Sequence, residues 1–190
     1  MEYLDVVDKN GQPTGEVVSR EQAHREGIRH RTAHVWIVRD RGEGTEVLLQ
    51  KRTMDKDSFP GCYDISSAGH IPAGMDFVES ALRELNEELG ITAAADELIY
   101  VGDLSISNTS VFHNAPFVDD QFSRVFCLVR DIELEDLILQ PEEVETVRWL
   151  DLQTCKSFVH ASFAHIPFEE DAYIWSCIIP DELDMLPGHL

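Results

Sequence analysis

The chain has 190 residues, 43% of them hydrophobic, enough for one domain with a sizeable core and too apolar for a disordered segment. Its 15 Lys and Arg face 36 Asp and Glu, a formal charge of −21, and a field of that sign repels nucleic acid and anionic membrane surfaces as primary partners. An anionic substrate would need local help, from metal ions or from a few arginines.

No apolar run approaches the ~20 residues of a membrane span. No start resembling a signal peptide precedes Glu2 and Asp5, and Cys62, Cys127, Cys155 and Cys177 form no C-x-x-C pair. The expectation is a cytoplasmic protein with reduced cysteines.

In chain order, Tyr3 to Val7 and Thr14 to Val18 flank Asp8-Lys-Asn-Gly11, a strong hairpin signal, so the chain opens as a β-ribbon. The free edge of that ribbon could pair between subunits in a homodimer. Ser19 with Gln22 resembles a capping box, and Gly27 closes a short helix carrying His24. Ala33 to Val38 and Glu46 to Lys51 read as strands joined by the turn from Gly42 to Gly44. Phe59-Pro60-Gly61 breaks the chain before one strand, Tyr63 to Ala68, that delivers into Gly69. Leu98 to Ser107 and Phe122 to Val129 read as strands around a polar connection, Asn108 to Gln121, expected to shape a pocket. Val144 to Leu150 is another strand, and helices are expected from Asp151 and from Pro167. Strands on both sides of one central helix, with helices at the end, suggest a mixed α/β sheet covered on both faces.

That central helix is predicted over 77–89, with Asp76 as N-cap, Glu79 three residues on, and Gly90 just past the end. Val78, Ala81, Leu82, Leu85 and Leu89 share an arc about 100° wide, the buried stripe. Glu84, Glu87 and Glu88 fall in a neighbouring arc, because spacings of three and four return to the same side. Like charges so placed disfavour the helix unless neutralised, and a hard divalent cation held by oxygens is one neutraliser. A solvated acidic face would show the same spacing.

Arg83-Glu84-Leu85-Asn86-Glu87-Glu88-Leu89-Gly90-Ile91 resembles the core of the Nudix box, with Gly69 at its opening glycine and the Arg148-Trp149 pair also in keeping. The resemblance covers residues 30–150. It implies a Nudix-type α/β/α sandwich, here with an N-terminal β-hairpin. It also implies a metal-dependent pyrophosphohydrolase that cleaves a nucleoside diphosphate linked to another moiety, or a related small diphosphate. By the same resemblance Glu87 and Glu88 are metal ligands for Mg²⁺ or Mn²⁺, Glu84 a further ligand or orienting group, Gly69 a carbonyl ligand, and Arg83 the residue that holds the carboxylates. The match fails where the family has glutamate and this chain has Met75, which cannot bind a hard cation well. Met75 therefore leaves open a non-catalytic diphosphate-binding module. A general base from outside the box is implied, and Glu142, Glu143 and Glu145 are the candidates, Glu143 preferred.

His24, His30, His34 and His70 form a second constellation. Ala23-His24, His30 six residues before Trp36, and Gly69-His70 are similar to the metal-histidine pattern of isopentenyl-diphosphate isomerase, itself of Nudix fold. His24, His30 and His70 are thus candidates for a second metal site. The isomerase chemistry itself is disfavoured, because Ala68 stands where that enzyme has a catalytic cysteine and Gln121 where it has a catalytic glutamate. The chain most resembles the isomerase-related branch of Nudix hydrolases. It is expected to form one domain over 1–190: hairpin and short helix to 29, core 30–150, closing helices 151–190.

Overall fold

A strand buried on both faces runs through the centre of the protein. In the computed structural model, which describes residues 2–56, 58–112, 114–163 and 177–187, strand β3 covers His30–Asp40. Its odd residues, Ala33, Val35 and Ile37, enter one apolar cluster and its even residues, Trp36 and Val38, enter another. Side chains alternate across a strand, so a near-continuous apolar run requires cover on both sides.

The first cluster is closed by helix α2 (Phe77–Leu89), through Ala81, Leu85 and Leu89. The second is closed by α3 (Leu152–Phe163) and α4 (Pro180–Met185), through Leu152, Cys155, Val159 and Leu183. The result is an α/β/α sandwich. Strands β4 (Thr45–Arg52), β5 (Tyr63–Asp64), β6 (Ser67–His70), β7 (Leu98–Phe112), β8 (Ala115–Val129) and β9 (Val144–Asp151) complete a mixed seven-stranded sheet, ordered β5-β4-β3-β8-β7 with β6 on β3 and β9 on β4. Among the described residues only the β3–β8 pairing is parallel; β3–β4, β3–β6, β4–β5, β4–β9 and β7–β8 are antiparallel.

The sheet splits where the site is built. β4 follows β3 at Val38↔Val47 and then departs, pairing with β5, while β6 takes its place beside β3 with Ala33↔Gly69 in register. The backbone groups freed at the fork need partners. Ser66, fully buried, supplies them: its Oγ accepts from the Ile37 amide at 2.8 Å and donates to the Leu48 carbonyl at 2.6 Å. Residues 63–68, expected as one strand, are therefore two short strands broken at this plug.

The amino-terminal ribbon, β1 (Tyr3–Val7) with β2 (Pro13–Ser19), forms as expected, its turn held by the Asp8 carboxylate, which accepts from the Asn10 and Gln12 amides. Helix α1 (Arg20–Glu26) follows, capped by Ser19 and closed by Gly27. The ribbon pins the loop ahead of α2. Asp5 accepts from the Gly74 amide at 2.9 Å and pairs with Arg31, which also donates to the Met75 carbonyl at 3.1 Å.

A second expectation changes. Residues 108–121 are not a loop: β7 and β8, each 15 residues long, form a hairpin turning at Asn114, and most of that stretch lies in its strands. The helix expected from Pro167 lies outside the described residues. Among the described residues no helix is long and apolar enough to cross a membrane.

Leu85 is fully buried between α2 and the sheet. Leu85→Ala is expected to lower the unfolding free energy by about 2–5 kcal/mol in urea titration, with little change for the exposed Tyr100→Ala.

Candidate active site

The α2 boundaries are set locally. The Asp76 carboxylate accepts from the Val78 and Glu79 amides, and Gly90, at φ 71°, caps the other end in the left-handed region where a side chain is strained. This fixes the helical phase, and with it the direction of the three glutamates. Glu84, Glu87 and Glu88 all line one cleft of about 260 Å³, together with Gly69.

Their environments differ. Glu87 is half-exposed, its carboxylate 4.0 Å from Arg83 Nε. Glu84 is largely buried and lies directly against Gly69, where a Cβ would collide with its carboxylate. Arg83 donates to that carboxylate and, at 3.5 Å, to the His70 carbonyl, bracing helix and loop together. Glu88 is 6% exposed, with the Gln50 amide 3.5 Å away. Burial, reinforced by the carboxylates of Glu84, Asp64 and Glu143, pushes the Glu88 carboxyl up to about 8. Burial raises Glu84 as well, against the opposing charge of Arg83. Oxygen donors crowded in this way, at a cost in desolvation and mutual repulsion, suit a hard divalent cation.

The Met75 side chain packs against the apolar cluster beneath α2. Arg83 Nε is buried without a hydrogen bond, so the arginine is braced on one side only.

Of the candidate bases, Glu143 alone lines the main cleft; it pairs with Lys56. Glu145 is turned to Lys51, and Glu142 lines a smaller adjoining hollow. The cleft also gathers three cations that the sequence reading did not single out, Arg20, Arg52 and Lys56. Arg52 is held by Asp64 at 2.8 Å and by the Ser58 carbonyl at 3.1 Å, and Arg20 by Glu2 at 3.4 Å. Ala68 and Gln121 line the same cleft.

His24, His30 and His70 come together from α1, β3 and β6, with ring nitrogens within 4.8 Å of one another. His24 Nε2 is 3.0 Å from His70 Nε2. His30 Nδ1 lies 2.9 Å from the Ile28 carbonyl, which fixes the proton on Nδ1 and leaves Nε2 as a lone pair. His24 Nδ1, His30 Nε2 and Asp119 Oδ1 are buried without hydrogen bonds. Asp119, missed because its stretch read as a loop, reaches the cluster from β8 and lies 3.4 Å from His24 and 3.9 Å from His30. Burial lowers all three imidazoles, His24 to about 4, so the rings are neutral and available as ligands. His34 stands apart, paired with Glu182 of α4.

Residues 28–168 match the NUDIX domain family model. The chain is 38% identical to Nudix hydrolase 3 of Arabidopsis thaliana over 88% of its own length and 22% of that protein. It is 38% identical to an uncharacterized Nudix hydrolase of Clostridium acetobutylicum over 75% of this chain and 66% of the other, and 31% identical to one from Listeria innocua over 88% and 90%. It therefore spans about a fifth of the plant protein and about two thirds of the clostridial one. In fold it is similar to the crystal structure of DR0079 from Deinococcus radiodurans, with a TM-score of 0.61 at 21% identity, over 84% of this chain and 90% of that one. With its glutamate helix over the forked sheet and a family match across most of its length, the chain belongs to the Nudix hydrolase family.

Proposed function

We propose that the chain is a divalent-metal-dependent pyrophosphohydrolase, acting on a diphosphate that joins a nucleoside or another small group to a second moiety. The observation that carries this reading is the gathering of Glu84, Glu87 and Glu88 with Arg20, Arg52 and Lys56 in one cleft of a chain that is otherwise strongly acidic. In this reading Glu84, Glu87, Glu88 and the Gly69 carbonyl hold Mg²⁺ or Mn²⁺. The cation neutralises charge on the phosphoryl oxygens when bound.

The protein's own groups do the rest. Arg52 and Lys56, backed by Arg20, receive phosphate oxygens and align the anhydride; Arg52 offers a planar fork and Lys56 a point charge. Arg83 keeps Glu84 against the loop. Glu143, paired with Lys56, accepts a proton from the attacking water. The isomerase alternative finds no acid–base pair in Ala68 and Gln121, both of which face the cleft.

We infer in addition that His24, His30 and His70 hold a second metal of a kind that favours imidazole, with Asp119 as an oxygen donor; three neutral rings and three orphaned buried atoms support it. The two sites differ in ligand type, so they are separable by metal.

Glu88→Gln is expected to lower Mg²⁺-dependent hydrolysis of a nucleotide-sugar and dinucleotide panel by roughly a hundredfold or more, read as phosphate-bearing products by chromatography. Full activity in that variant contradicts the assignment. His24→Ala is expected to remove one tightly held equivalent of Zn²⁺ in equilibrium dialysis and to leave Mn²⁺ binding at the box intact. Unchanged zinc stoichiometry contradicts the second site.

A further inference from the structure

Helix α4 inserts a carboxylate into the sheet face on the cleft side. Glu182 is 1% exposed; one oxygen lies 2.6 Å from His34 Nδ1 and the other accepts from Trp36 Nε1 at 3.1 Å. A carboxylate facing these two donors accepts from both, so Nδ1 of His34 carries a proton. On the far side of the ring, Nε2 lies 3.3 Å from Thr32 Oγ1. The Thr32 hydroxyl also lies 2.7 Å from Ser123 Oγ and 3.1 Å from Gln121 Oε1, so its proton has acceptors away from the ring and its oxygen is open to a donor on His34. A proton on Nε2 as well makes the ring an imidazolium beside its buried counter-charge. Burial by itself would drive the ring neutral, but Glu182, helped by Asp64 and Asp119, outweighs it and the His34 pKa is raised.

His34 borders the cleft between Thr32 and Gln121 on one side and Ala68 and His70 on the other. Its Nδ1 bond is as short as a charged pair makes it, whereas its Nε2 contact is long for a charged donor, which normally sits at about 2.7–2.9 Å. The Nε2–H, held by this long contact, is the donor that a ligand in the cleft can draw away.

We propose that His34 is a substrate-reading residue. Its Nε2–H donates to an acceptor oxygen on the group the diphosphate carries, Glu182 acts as its positioning residue, and the carried group is therefore oxygen-bearing, as a sugar is, and not a hydrocarbon. This rests on the diphosphate reading of the cleft given above. A site built around a fixed donor discriminates strongly against analogues that leave it unpaired, whereas an apolar wall does not.

The test compares ADP-ribose with geranyl diphosphate in the wild type, His34→Gln and Glu182→Gln, each checked for a cooperative thermal transition. In His34→Gln the KM for ADP-ribose is expected to rise roughly tenfold more than that for geranyl diphosphate, with kcat changing far less. Glu182→Gln keeps an acceptor for Trp36 but removes the counter-charge. Without it burial holds the imidazole below its ordinary value of about 6.5, so the variant's KM for ADP-ribose should rise with pH at a lower pH than the wild type's. Equal losses on both substrates, or a Glu182→Gln pH profile matching the wild type, overturn the proposal. If neither compound is cleaved, the hydrolase reading fails by itself and the ring ¹⁵N NMR signals of His34 decide. A shift produced by ADP-ribose and not by geranyl diphosphate sustains the contact, and no shift overturns it.

Discussion

The Glu84 side chain lies so close to the backbone at Gly69 that no Cβ fits between them. That contact ties the register of β6 on β3 to the phase of α2, because a one-residue slip of either would carry the carboxylate away from the loop. The surrounding structure holds both sides in place. Ser66 plugs the fork from which β6 emerges, and Asp5 and Arg31 pin the loop at Gly74 and Met75. Asp76 and Gly90 fix where the helix begins and ends. The amino-terminal ribbon, a two-stranded sheet separate from the central one, is thus part of the support for the glutamate helix.

Rigid support matters because the site is electrostatically costly. Glu88 is taken out of water beside other carboxylates and its pKa rises accordingly. A buried group of this kind persists in a marginally stable fold when it has a compensating partner in its working state. A chain of charge −21 has little cation to spare, and it places Arg20, Arg52 and Lys56 in the cleft, each tethered by its own carboxylate. Such tethers pre-orient a cation at low entropic cost before a ligand arrives. Met75 runs against this pattern. Its side chain strengthens the apolar cluster, and Arg83 is left with one unbonded nitrogen beside the very carboxylates it braces.

Local rules were enough for the parts of the site that are local. The helix over 77–89, its caps and the arc of three glutamates were legible from spacing, and the structure places the helix at those residues. The amino-terminal hairpin was legible from its Asn-Gly turn. What escaped depends on long-range pairing. Residues 108–121 are polar and contain Pro116, so they read as a connection, yet extended cross-strand pairing holds most of them in β7 and β8 and thereby delivers Asp119 to the histidines. Arg20, Arg52 and Glu182 carried no signal at their own positions, since each acquires its meaning from an element far away in sequence. Burial of Glu88 was hidden too, because the helical arc beside the core faces not solvent but the floor of a cleft closed by Gln50 and Asp64.

Anomalous diffraction at the manganese absorption edge, from crystals equilibrated with Mn²⁺, tests the central claim most directly. The account predicts a peak bounded by the carboxylates of Glu84 and Glu88 and the carbonyl of Gly69. A map with no manganese at the box, or with manganese at the histidine cluster alone, would contradict it.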